Sequence, residues 1–545
     1  MFKLWLALFK SLKSKEKLFV NLAIAGILLL TSLPLIVGLI HTPADSFYTG
    51  TGFVGGADKM VYFSQIEEAS QGHLLLHNLY TSEPQTAAIF SPIWLIIGLF
   101  VCFSHIPTLL AFHLFRLIAG FIFLWLVYLF LAKIFSNPNW RKLGFLLVAL
   151  SSGLGIFTVG SNWDTDYLYE HLGTDLWVTE GNTFLSLAHS PLFIISQILI
   201  LIIFWWAIER LNKAKWPEII LYGLLVAFLG LIHPYDLFII FPVLGVWFLI
   251  KCIKLKKFFS LIFWKIFILG LIASLSFIYF YWLKMSDPAF SGWLVQNVTL
   301  SPKILNYFIG YGILFIFYLF GIFKTIKSKN PYLFFLSVWS ITCWFLIFIP
   351  FQFQRRLSNA WHLPITIIAL VGIFYVYSHI KNKKIWQSFF LKYVIFQIIG
   401  ILLISSTVFS ISAEVVIILW DRYPVYLKND IYQGLIWLKQ NINSQDVILS
   451  SAISGNMMPA FTGRTVYIGH GHQTADWFGK LYSSELFFFG NNTADQQKAA
   501  WLKEQCISYV FYGPREKTLG NFNPSSKAYL SPVYSSEDLV IYRVK

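Results

Sequence analysis

Side chains that could do chemistry are few in this sequence, and they gather in short stretches. Gly56-Ala57-Asp58-Lys59-Met60-Val61-Tyr62 leads into Gln65-Ile66-Glu67-Glu68-Ala69. At helical spacing Asp58, Tyr62, Ile66 and Ala69 share one face, so Asp58 opens an amphipathic helix. A carboxylate there serves either as a cap and dipole partner or as a group open to proton transfer. His233-Pro234-Tyr235-Asp236 joins two apolar runs. Asp236 is either the N-cap of the second run or half of an ionisable pair at membrane depth, where such pairs are costly and often functional. Arg355 and Arg356 offer paired guanidinium donors that suit phosphate, from a substrate or from a lipid headgroup. Residues 161–183 carry Asp164, Asp166, Glu170, Asp175 and Glu180 with no Lys or Arg. His470 and His472 lack a third ligand nearby in sequence and read as loop histidines, so no metal or other cofactor is indicated. Cys102, Cys252, Cys343 and Cys506 are scattered and form no disulfide framework.

The elements that must position these residues are mostly membrane helices. Apolar residues make up 57% of the 545-residue chain and charged residues 12%, against about 25% charged in a soluble domain. Apolar runs from Leu18 to Ile411 approach the ~20 residues that a helix needs to cross the hydrocarbon core. They predict about eleven spans, near 18–40, 107–131, 144–160, 184–208, 217–232, 237–250, 260–283, 304–323, 331–350, 361–379 and 388–411. The net charge of +15 sits in short clusters at helix ends, among them Lys10 to Lys17, Arg141 and Lys142, Lys254 to Lys257, and Lys381 to Lys384. That is the positive-inside pattern of an oriented membrane protein, not a nucleic-acid footprint. It places the N-terminus in the cytoplasm and loop 41–87 outside. Residues 88–104 are apolar but short, and counting them as a span would invert every later cluster; they read as a re-entrant or interfacial helix. His113 and Arg116, one turn apart in a span, predict a bundle interior. The first apolar run lacks a cleavage site and reads as a retained helix.

After Ile411 the apolar runs stop. The chain therefore divides into a transmembrane domain over 1–411 and an extracytoplasmic α/β domain over 421–545. In the latter, helices are expected at Asp430 to Asn441, 474–489 and 493–504. Strands are expected at Val447–Leu449, Thr465–Ile468, Tyr509–Tyr512, Pro532–Tyr534 and Leu539–Val544.

This layout resembles the GT-C superfamily of membrane glycosyltransferases, which includes protein O-mannosyltransferases and bacterial aminoarabinose transferases. The residues that carry the resemblance are Asp58 with Tyr62 in a long first loop, Gly72, the proline-containing apolar helix at Ser91-Pro92, and Arg116 in the next span. The family usually has a second acidic residue beside the first; here Lys59 stands in that place. The resemblance implies a cell-membrane enzyme that takes a sugar from a polyprenyl-phosphate donor, supplied from the lipid, to an acceptor reached from outside. It implies Asp58 as the base, Arg355 and Arg356 as the phosphate clamp, and Asp164, Asp166 and His233 as sugar or acceptor contacts, near Tyr62 and Asp236. A transporter, expected to show inverted repeats, and a non-catalytic lipid-binding or assembly protein are the alternatives.

Overall fold

Lipid offers no partner to an exposed peptide group, so a chain this apolar must close its hydrogen bonds within helices. The structure, a computed structural model, describes all residues except 53–54, 161–164, 257–259, 383–387, 421–422 and 491–493, and it leaves aside the side chains of Phe2, 165–166, 254–255 and 389–390. Among the described residues nine helices, from Ser14–Ile40 to Leu391–Leu419, are long and apolar enough to cross a membrane. Helices also occupy the shorter stretches Pro92–Ser104, Trp216–Ile232 and Pro331–Leu346. At 13 residues, Pro92–Ser104 is about 20 Å long, short of the ~30 Å hydrocarbon core. The multi-pass architecture expected from the sequence is therefore present.

The chain packs as two units. One comprises Met1–Leu33, Phe115–Ile278 and Thr299–Ala413. Its core is aromatic, with Trp205, Trp206, Trp339 and Trp361 fully buried. The ring of Trp206 stacks on Tyr222 at 4.0 Å, and Phe204 meets Trp339 edge-on at 4.7 Å. Helices Ile304–Thr325 and His362–Ile380 pack backbone to backbone. A Cβ at Gly321 would fall on the carbonyl oxygen of Ile368, and one at Gly372 on that of Phe317. Small residues of this kind let membrane helices approach where no hydrophobic effect drives them together. At Gly312 (φ +48°) the Ile304–Thr325 helix breaks, and the carbonyl of Ile309 accepts from the Leu154 amide at 2.8 Å. Arg116 is fully buried. Its guanidinium donates to Thr31 Oγ1 (3.0 Å), Ser32 Oγ (2.9 Å) and the Leu187 carbonyl (2.7 Å), as its expected interior position requires.

The second unit comprises Pro34–Leu114, Tyr279–Val298 and Glu414–Lys545. A two-stranded antiparallel ribbon, β1 (Ser46–Tyr48) with β2 (Tyr426–Lys428), joins segments that are far apart in sequence. The other strands are β3 (Val447–Leu449), β4 (Thr465–Val466), β5 (Ile507–Tyr512), β6 (Leu530–Ser535) and β7 (Val540–Val544). They form one mixed sheet in the order β4-β3-β5-β7-β6, parallel through β4, β3 and β5 and antiparallel beyond. These are the five expected strands, and helices Asn429–Asn441, Trp477–Phe489 and Asp495–Glu504 match the expected three. Helix Ala452–Thr462 was not anticipated. The Gly56–Ser70 helix packs between it and Pro92–Ser104. Gly98 allows that approach, because a Cβ there would lie 2.8 Å from the Ile66 carbonyl oxygen.

The Gly321–Gly372 contact gives a direct test of the packing. Gly372→Leu should lower stability by at least about 2 kcal/mol, since the added atoms meet fixed backbone. Gly245→Ala, where a Cβ meets nothing within 4 Å, should leave the melting temperature unchanged or slightly raised. Thermal melting of the two purified variants checks the contrast.

Candidate functional site

In the second unit Asp58 lies in the first turn of the Gly56–Ser70 helix, as its spacing predicts. Its side chain is 53% exposed, yet one oxygen is fixed: Oδ1 lies 3.0 Å from Nε2 of His470, whose side chain is only 6% exposed. Nδ1 of His470 accepts from the amides of His472 (3.2 Å) and Gln473 (3.3 Å). A nitrogen that accepts two amide hydrogens carries none of its own, so the imidazole proton resides on Nε2 and is donated to Asp58. His470 is therefore not a surface loop histidine, as the sequence suggested, but the buried donor that orients an open carboxylate. His472 is exposed, and no group of three or more His, Cys, Asp or Glu among the described residues could hold a metal ion. Tyr62 is half-buried and stacks on Trp94 at 4.6 Å. Lys59, in the place of a second acid, is buried with its ammonium 3.7 Å from Glu414. A buried lysine demands such a partner.

In the first unit His233, Asp236, Arg355 and Arg356 come together. Asp236 makes no capping bond to the helix that follows it, so the N-cap alternative is not realised. Instead it is fully buried in a polar network. Oδ1 faces Nδ1 of His233 (2.9 Å) and accepts from Asn359 Nδ2 (2.8 Å), while Ser196 Oγ donates to Oδ2. Gln197 extends the network, donating to Asn359 Oδ1 (3.2 Å) and Ser186 Oγ (2.8 Å). With Nδ1 directed at a carboxylate, the other ring nitrogen of His233 is an acceptor, and this buried Nε2 has no partner among the described residues. The tail of the same loop holds Tyr235, whose ring lies 4.8 Å beneath the Arg356 guanidinium; Arg355 lies 4.7 Å over Trp177. Aromatic platforms of this kind hold the guanidinium plane by cation–π attraction. No carboxylate of the described residues forms an ion pair with Arg355.

Asp164 lies outside the described residues, as does the side chain of Asp166. Asp175, from the same acidic loop, is buried and accepts from the amides of Gly153 (2.8 Å) and Gly155 (3.4 Å). Desolvation pushes its carboxyl up from 3.8 to about 6 against those hydrogen bonds. Sequence reasoning missed Ser196, Gln197, Asn359, Trp177 and the role of His470. The adjacent Ser196-Gln197 pair inside an apolar run was a signal, because polar groups there need a reason. Asn359 and Trp177 gave none.

No protein-family profile matches the chain, and no curated protein sequence matches it. The fold is nonetheless shared with solved structures. The chain is similar to the oligosaccharyltransferase of Archaeoglobus fulgidus, tethered with an acceptor peptide, at 14% identity and TM-score 0.53, over 90% of this chain and 69% of that one. It is similar to the arabinofuranosyltransferase AftD from Mycobacteria at 12% identity and TM-score 0.52, over 96% of this chain and 40% of that one. ArnT from Cupriavidus metallidurans, bound to undecaprenyl phosphate, aligns at 8% identity and TM-score 0.48, over 96% of this chain and 98% of that one. The oligosaccharyltransferase and AftD, the two with TM-scores above 0.5, are GT-C glycosyltransferases. The chain is a multi-pass membrane protein with a GT-C-like fold.

Asp175 makes the stability of the first unit depend on pH. Because its carboxyl holds a proton to about pH 6 in the fold and to 3.8 without it, stability should fall as pH rises through that window. The drop should be on the order of 2–3 kcal/mol, level above it. Asp175→Asn should remove this slope. Denaturation across pH 3.5 to 7 checks it.

Proposed function

We propose that the protein is a membrane glycosyltransferase that moves a sugar from a polyprenyl-phosphate-linked donor to an acceptor at the external face of the membrane. The observation that carries this reading is Asp58, a solvent-open carboxylate in a GT-C-like fold that is aimed by a buried histidine N–H. A carboxylate so held is suited to general-base work, because one oxygen is pinned and the group keeps its orientation. In the reaction the acceptor hydroxyl oxygen bonds to the anomeric carbon as the bond from that carbon to the phosphate oxygen breaks. Asp58 takes the hydroxyl proton, and the phosphate leaves with the electron pair. Arg355 and Arg356 stabilise the charge that grows on it. Their aromatic seats and the absence of a carboxylate paired with Arg355 among the described residues support an anionic ligand. His233, fixed by Asp236, offers Nε2 to a donor hydroxyl. Tyr62, Asp164 and Asp166 are assigned to sugar or acceptor contacts. The basic clusters support a cytoplasmic N-terminus and an extracytoplasmic C-terminal region over 421–545.

The base and the clamp should fail differently. Asp58→Asn should lower transfer from synthetic polyprenyl-phosphate sugars by about 10²–10⁴-fold and leave undecaprenyl-phosphate affinity unchanged. Arg355→Ala combined with Arg356→Ala should weaken that affinity by about tenfold or more per arginine, as expected for lost charged hydrogen bonds. His470→Gln, which keeps a side-chain N–H, should retain more activity than His470→Leu. Near-normal transfer by Asp58→Asn would remove Asp58 as the base. Lipid binding without transfer in the parent protein, across donors, would favour a lipid-binding role.

A further inference from the structure

The Trp477–Phe489 helix turns an apolar stripe outward. Phe487 and Phe488 are buried, and Lys480 is buried with its ammonium on Glu83 at 2.8 Å. Phe478, Tyr482, Leu486 and Phe489, spaced at i, i+4, i+8 and i+11, are exposed instead. Phe478 is 82% exposed, Tyr482 70% and Phe489 57%. Glu485 is the one charged residue on that open face among the described residues. Exposed aromatic stripes of this length mark an interaction surface rather than ordinary solvent contact.

The start of this helix is tied to a short helix that follows a spanning one. The Trp477 amide donates to Gln296 Oε1 (3.0 Å), and Gln296 Nε2 donates to the Thr474 carbonyl (2.6 Å). Gln296 closes the Pro288–Gln296 helix, which follows the Leu261–Ser286 span after a turn in which Asp287 accepts from the Phe290 amide at 2.9 Å. The last turns of that span expose Tyr281, Trp282 and Met285, and aromatic residues at the end of a span sit at the membrane–water boundary. The connecting helix of nine residues is about 14 Å long, so the stripe begins close to that boundary.

We propose that Phe478, Tyr482, Leu486 and Phe489 insert into the headgroup–acyl boundary of the bilayer, making Trp477–Phe489 an in-plane anchor. Lipid is the occupant because the helix is hydrogen-bonded to the segment that follows the exposed aromatic end of a span, and because Tyr482 pairs an apolar ring with a polar tip, the composition such boundaries favour. This inference does not depend on the transfer reaction.

The test uses the full-length protein in nanodiscs of equal parts palmitoyl-oleoyl phosphatidylcholine and phosphatidylglycerol. With exposed Cys102 and Cys506 changed to Ser, nitroxides are placed singly by Phe478→Cys, Tyr482→Cys, Trp282→Cys and Glu504→Cys. Trp282→Cys gives the lipid reference, and Glu504→Cys the solvent reference. The ratio of oxygen to water-soluble nickel-chelate accessibility at 478 and 482 should exceed that at 504 several-fold and approach that at 282. A ratio equal to that at 504 would overturn the proposal. So would low accessibility to both reagents with spin–spin coupling between copies, which would assign the stripe to a second copy of the chain.

Discussion

Arg116 is held, fully buried, by two hydroxyls and a carbonyl, and the same constraint governs the rest of the molecule. A polar group taken out of water must be given its partners by the protein, or it costs several kilocalories per mole. Glycine pairs such as Gly321 and Gly372 bring helices close enough to pack without a hydrophobic drive. The Ile309 carbonyl, beside the break at Gly312, is satisfied by Leu154. Lys59 is kept by Glu414, and Asp236 by Ser196, Asn359 and His233.

Three ionisable groups are held differently. Asp58 is 53% exposed, and the buried His470 N–H fixes one of its oxygens. His233 spends one ring nitrogen on Asp236 and leaves the other without a partner among the described residues. Arg355 rests on an aromatic ring, and no carboxylate of the described residues pairs with it. Each is positioned by a neighbour: His470, Asp236 or Trp177.

Much of this was legible in the sequence, and the gaps have physical reasons. Lipid forces apolar runs into helices, so the spans could be read from composition alone. The strands of the C-terminal region followed from short β-rich runs between turn residues. The Ala452–Thr462 helix did not, because Gly455 and Pro459 interrupt its pattern. The β1–β2 ribbon pairs Ser46 with Lys428, a long-range contact that no local periodicity encodes. Asp58 and Arg355 stand out in the sequence because ionisable residues are rare there. His470 was missed because its value lies in a loop conformation, two amides on Nδ1, which spacing does not reveal.

The most direct measurement is a density map of the purified protein with undecaprenyl phosphate bound. The account predicts that the phosphate lies within hydrogen-bond reach of the Arg355 and Arg356 guanidinium groups, with both arginines still on their aromatic seats. A bound lipid whose phosphate is held elsewhere, with those two side chains unengaged, would contradict it.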